Sequence, residues 1–136
     1  MVFNTEEFFK AKAAAEAPPG KADEVFASYK QQFGLVDNLV FTLSLNTHSV
    51  DLAQYPLEKL GILRDDKGRQ LPARRWEEDA ISSSHHRSGK LIFPKATGEG
   101  SPIITSDTKY LEVVIQGVSG VEERVFRWEL PIPYPD

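Results

Sequence analysis

The chain has no cysteine. Disulfides, thiolate nucleophiles and cysteine-ligated zinc or iron–sulfur centres are thereby excluded. The redox compartment stays open, because a cysteine-free chain tolerates either environment. Methionine occurs once, at position 1, which removes a methionine-rich copper(I) site. No stretch approaches the roughly 18 apolar residues of a membrane span, and Met1 to Lys12 lacks the apolar core of a signal peptide. Positive charge is never concentrated: 16 Lys and Arg stand against 20 Asp and Glu, and no basic run exceeds Arg74-Arg75. Neutralising phosphates dominates nucleic-acid affinity, so no nucleic-acid partner is expected. Neither a phosphate-binding loop nor a dinucleotide fingerprint occurs.

What is present is enough for one domain. A chain of 136 residues buries roughly 68–70% of the surface it exposes when unfolded, so no metal is needed merely to hold it together. Asn4 and Glu7 have capping-box spacing, and Thr5-Glu6-Glu7 puts acids where the helix dipole favours them. Alanine-rich residues 11–17 run on to Pro18-Pro19-Gly20, which predicts a helix over about 5–16. Ala22, Val25, Phe26, Tyr29 and Phe33 form one apolar stripe. Gly34 can end that helix in the left-handed conformation, with Leu35 placed for the contact after the cap, which predicts a second helix over about 22–33. Residues 1–34 are therefore expected to form a helical extension, its first helix the more polar and mobile.

From Leu39 the pattern changes to period two, with Phe41, Leu43 and Leu45 inward and Thr42, Ser44, Asn46 and His48 on the other parity. Gly61–Arg64 reads as a short strand, turned at Asp65–Gly68 and returning through Gln70 to Trp76. Lys90–Phe93 is another, closed by Pro94. Leu111, Val113 and Ile115, then Phe126, Trp128 and Leu130, define two inward-facing rows joined as a hairpin through Gly117–Gly120. Residues 94–108 read as a long surface loop and Pro131–Pro135 as an extended end. Short strands without βαβ alternation make the fold mainly β: an antiparallel immunoglobulin-like β-sandwich over 35–136 with an N-terminal helical extension. The Cys…Trp…Cys hallmark of that fold is missing, so strand order stays open.

All three histidines fall in two segments, Asn46-Thr47-His48-Ser49-Val50-Asp51 and Ser84-His85-His86-Arg87. Neutral imidazole with a carboxylate is a donor set that copper(II) and zinc accept. His48 and Asp51, three residues apart in a turn, can address one ion, joined by His86 or His85. Neighbours on an extended chain point oppositely, so one of the His85-His86 pair is expected as ligand. Glu77, Glu78 and Asp79 are further carboxylates without an assigned role. The commoner fate of such residues is structural: a rim histidine holds a loop, and short polar side chains make local turns. Ser-His-Asp catalysis is not expected, since triads converge from separated segments and no nucleophile elbow exposes a serine. Trp128 is read as a core residue by its inward parity. Trp76, flanked by Arg75 and Glu77, reads either as core or, if exposed together with Tyr110, as part of a stacking surface for carbohydrate or protein. Arg87, Arg124 and Arg127 are read as residues of solvated faces paired with nearby acids.

The segments Phe41–Leu52 (Phe-Thr-Leu-Ser-Leu-Asn-Thr-His-Ser-Val-Asp-Leu), His85–Leu91 and Glu122–Trp128 resemble a group of microbial domains found in secreted or membrane-anchored proteins. The resemblance covers about two thirds of the chain and leaves the N-terminal helices outside it. It implies an extracytoplasmic location, periplasmic or at the cell surface, but no reaction and no ligand. The expected function is a binding module rather than an enzyme, with a divalent metal, Cu(II) or Zn, held by His48, Asp51 and His85 or His86. The alternative is a metal-free interaction domain of a larger surface assembly, meeting a protein partner through its N-terminal helices.

Overall fold

A computed structural model describes residues 1–46, 52–80, 83, 85–118 and 121–130. The expectations placed on His48, Asp51, the 119–120 turn and the 131–135 tail lie outside the described residues. Among the described residues, eight strands form two antiparallel sheets. The first sheet runs β1-β2-β6-β5 (Val2–Asn4, Asn38–Asn46, His86–Pro94, Arg75–Glu78). The second runs β4-β3-β7-β8 (Gln70–Pro72, Gly61–Asp65, Tyr110–Val118, Val121–Glu129). Helices α1 (Glu6–Glu16) and α2 (Ala22–Phe33) lie between β1 and β2, and a single helical turn, α3 (Leu57–Leu60), precedes β3.

The two sheets share one core. Leu39, Phe41 and Leu43 of β2 and Leu91 and Phe93 of β6 meet Leu63, Leu111, Val113 and Ile115 from the second sheet, all buried. Phe126 and Trp128 of β8 pack on this cluster, and the Trp128 ring centre lies 5.0 Å from that of Phe41. The inward parities expected for both hairpin strands are those observed. Apolar side chains are expected on only one parity of β2, yet Val40 is buried as well. It joins Ile92 on the outer side of the first sheet, where Phe9 and Phe33 of the helical pair and Leu35 just beyond it cover both. Phe9 stacks on Phe33 at 5.2 Å.

This packing changes the reading of the N-terminus. The first helix is polar over most of its surface, as expected, but it turns one side inward: Phe9 and Ala13 are buried. Its cap is Thr5, whose hydroxyl accepts from the Phe8 N–H at 3.1 Å, and not Asn4. Asn4 belongs to β1 and donates its amide to the Thr42 hydroxyl. Val2-Phe3-Asn4 pairs with Val40–Thr42, and Phe3 stacks on Phe41 at 4.7 Å. The helical pair therefore leaves the first sheet at one strand and returns to it at the next. At its exit Gly34 takes φ 61°, and the Gly34 and Leu35 N–H groups both donate to the Lys30 carbonyl.

Two other expectations are revised. Residues 70–76 are not one strand: β4 ends at Pro72, and β5 starts at Arg75 in the other sheet. Proline cannot extend a ladder, and within two residues the donors change sheets, Ala73 N–H going to Gly61 O (3.4 Å) and Arg74 N–H to Ile92 O (2.7 Å). Residues 94–108 are not wholly a surface loop either. Ile103 enters the main core, tied back by its N–H to the Lys95 carbonyl at 2.8 Å.

Candidate functional site

β2 ends and β6 begins at one rim, where Asn46 pairs with His86. Thr42, Ser44 and Asn46 face Lys90, Ser88 and His86 in register on the outer side of the first sheet. The strands that are apolar under the helices thus become polar beyond them. At the rim His86 Nδ1 contacts Asn46 Oδ1. With that oxygen accepting, Nδ1 donates, and in the neutral ring Nε2 is then the nitrogen that carries the lone pair. Ser83 fixes the backbone: its N–H donates to the His86 carbonyl at 2.6 Å, and its hydroxyl accepts from the His86 N–H at 3.1 Å. His85 is exposed. Among the described residues no three His, Asp or Glu come together to hold a metal ion. His48 and Asp51, the other two expected ligands, are not among those residues.

The carboxylates upstream of His85 are engaged. Glu77 accepts from Arg75 Nε at 3.1 Å, and Glu78 from Arg87 Nε at 2.7 Å. Asp79 accepts from the Ser88 hydroxyl at 2.9 Å and lies 3.9 Å from Lys90 Nζ. Arg87 is not on a solvated face, being only 8% exposed. It has the inward parity of Leu91 and Phe93, and its Nη1 donates to the carbonyls of Leu52 and Tyr55. Its guanidinium also lies 5.5 Å from the Trp76 ring centre. A cation inside the rim thus ties the Leu52 and Tyr55 carbonyls, at the two ends of the turn, to Glu78 of β5. Parity was the available signal, and the charge of arginine masked it.

Trp76 packs against the core and Tyr110 faces outward from the other sheet, so they form no common stacking platform. Gly89 makes room for the indole: a Cβ there would meet Trp76 Cζ2 at 2.8 Å and the Glu77 carbonyl oxygen at 2.2 Å.

At the opposite end of β2, about 25 Å away at ~3.3 Å per strand residue, a cleft of about 640 Å³ opens. Phe3, Leu39, Ile104 and Leu130 give it apolar walls, and the N-terminus of α1 lies along one side. Lys95 and Glu6 pair at 3.2 Å on its lining. Asn38 donates Nδ2 to the Phe33 carbonyl at 2.9 Å, while its Oδ1 is buried without a hydrogen-bond partner among the described residues. Motif reading missed this cleft because its walls come from five separate stretches of chain. Comparison with family models, curated proteins and solved structures gives no match.

Proposed function

We propose that the chain is a non-catalytic binding module on an immunoglobulin-like sandwich, carried by an extracytoplasmic or membrane-anchored protein. Strand order supports the finer fold assignment. Lettering the strands in sequence gives A-B-E-D for the first sheet and C′-C-F-G for the second, the arrangement of immunoglobulin-type domains with a C′ strand. The location rests on the resemblance of residues 39–130 alone.

The proposed ligand is a divalent transition metal, Cu(II) or Zn, at the rim that bears His86. One observation carries this reading: His86 has its Nδ1 engaged by Asn46, which orients the ring and leaves Nε2 as the donor. Metal-binding histidines are held in this way through their second nitrogen. His48, Asp51 and His85 are the further candidate ligands, as their sequence positions suggest. Calorimetric titration of chelator-stripped protein with Cu(II) and with Zn tests it. Stoichiometric binding tighter than about 1 μM, roughly -8.2 kcal/mol, is expected, and is expected to be lost in both His86→Ala and His48→Ala. Binding that is absent, or that survives either substitution, removes the shared site.

A metal-free interaction domain is favoured by one observation, the exposure of Phe8 on α1 at 38%. Phe8→Ser abolishing capture of a partner by the full chain, with metal affinity unchanged, would support that reading.

A further inference from the structure

Four strands form the sheet edges, and three are short: β1 and β4 have three residues each and β5 has four. Short edges give a passing chain little to pair with. β8 differs, running nine residues with β7 as its one neighbour among the described residues. It contains neither lysine nor proline, two common edge blockers. Pairing with Gln116, Val114, Glu112 and Tyr110 sets Glu123, Val125, Arg127 and Glu129 on its outward parity. Val125 is 47% exposed at the end of a row that crosses the sheet through Ile62 and Val114.

We propose that β8 pairs with β8 of a second copy of this chain, antiparallel and centred on Val125, to make one continuous sheet. The occupant follows from charge complementarity. In a two-fold pair whose members keep the same face outward, the central residue fixes every other contact. Centring on Val125 sets Glu123 opposite Arg127 of the second copy, twice by symmetry, and Val125 against Val125. The neighbouring registers juxtapose like charges, which disfavours them. Centring on Arg124, Arg127 or Glu123 sets that residue against itself, and centring on Phe126 sets Glu123 against Glu129. In the single copy Arg127 is held by Glu112 through Nε and Nη2, at 3.1 and 3.0 Å, and its Nη1 lies 4.0 Å from Glu129. The apolar row then runs unbroken across both copies. None of this depends on a metal at the His86 rim.

The absence of cysteine makes the test direct, because Val125→Cys carries the only thiol. Antiparallel partners lie about 4.5–5.5 Å apart between Cα atoms, inside the range a disulfide spans. Mild oxidation should cross-link Val125→Cys at least about tenfold faster than Val36→Cys or Glu123→Cys, since only the first thiol is held beside its own copy. Val36 is the collisional control, 78% exposed and outside β8. Sedimentation of the unaltered chain should show a monomer–dimer equilibrium, weakened at least about tenfold by Glu123→Arg, which sets arginine against Arg127. Cross-linking no faster than at position 36 overturns the proposal. So does a chain that stays monomeric at concentrations on the order of 1 mM.

Discussion

The outer faces of the two sheets solve the same problem in opposite ways. On the first sheet, Val40 and Ile92 lie beneath the helical pair, sealed by Phe9, Phe33 and Leu35. On the second, among the described residues, charged side chains take the place that the helices have on the first. Arg64 and Arg127 close on Glu112 from both sides, at 3.0 Å each, and the Arg127 guanidinium lies 3.9 Å from the Tyr110 ring centre. A sheet covered on both sides needs apolar residues on both parities, whereas a sheet covered on one side alternates. Leu39-Val40-Phe41 and Leu91-Ile92-Phe93 follow the first rule, and Val125 to Glu129 follows the second. In β2 and β6 the apolar run is therefore the trace that the helices leave, whereas in β7 Val114, also buried, lies between its strand neighbours Ile62 and Val125.

Breaking the covered face should have the largest effect. Phe9 touches both Phe33 and Tyr29, with ring centres 5.2 and 5.4 Å away. Phe9→Ala should destabilise the fold by about 3–5 kcal/mol, the usual range for deleting a buried phenylalanine. The urea unfolding midpoint at neutral pH measures it. A loss near zero would mean that the helices rest on the sheet without holding it.

The bare face should yield less, and in a pH-dependent way. Burial alone would raise the Glu112 carboxyl, but the hydrogen bonds and charges of Arg127 and Arg64 outweigh it and hold the group below its ordinary value. A depressed carboxyl binds fewer protons folded than unfolded. Its contribution is thus present in full above the unfolded value of about 4.3 and is lost as pH falls through the folded one. Glu112→Gln should cost about 1–3 kcal/mol near neutrality, and its deficit should shrink between pH 7 and pH 3. Asp65, also held low, retains its own acid sensitivity in that variant: burial pushes it up, and Arg69 and the Arg69 and Lys67 N–H groups pull it down further. A deficit that does not change with pH would show that Glu112 acts there by packing.

How much of this was legible depended on the range of the interactions. Both helices, the Gly34 cap and the inward rows of β7 and β8 rest on local periodicity, and they stand where the pattern puts them. Three features were hidden because distant residues decide them. Asn4 has a helix-capping side chain, but Thr42 takes it into a strand. Gln70 to Trp76 reads as one extended run, but Gly61 and Ile92 draw its two halves into different sheets. Arg87 carries a charge that suggests solvent, while the carbonyls of Leu52 and Tyr55 supply its partners inside. For the candidate site, the sequence singled out the histidines and the structure supplies the partner of one, Asn46, forty residues away. The cleft beside Asn38 left no local pattern at all.

The smallest effect is expected at a pair of valines, one on each sheet. Val40 and Val125 are both outward-facing valines, one sealed under helices and the other 47% exposed. Val125→Thr keeps the branched shape and replaces a methyl by a hydroxyl that water can reach, so the isolated chain should change stability by no more than about 0.5 kcal/mol. The same change at Val40 buries that hydroxyl against Phe9 and Ile92, and should cost about 1–3 kcal/mol. Paired unfolding curves, taken at low protein concentration so that association through β8 cannot contribute, separate the two. If Val125→Thr cost as much as Val40→Thr, the second sheet's outer face would be covered in the folded monomer, and β8 would not be free to receive another copy.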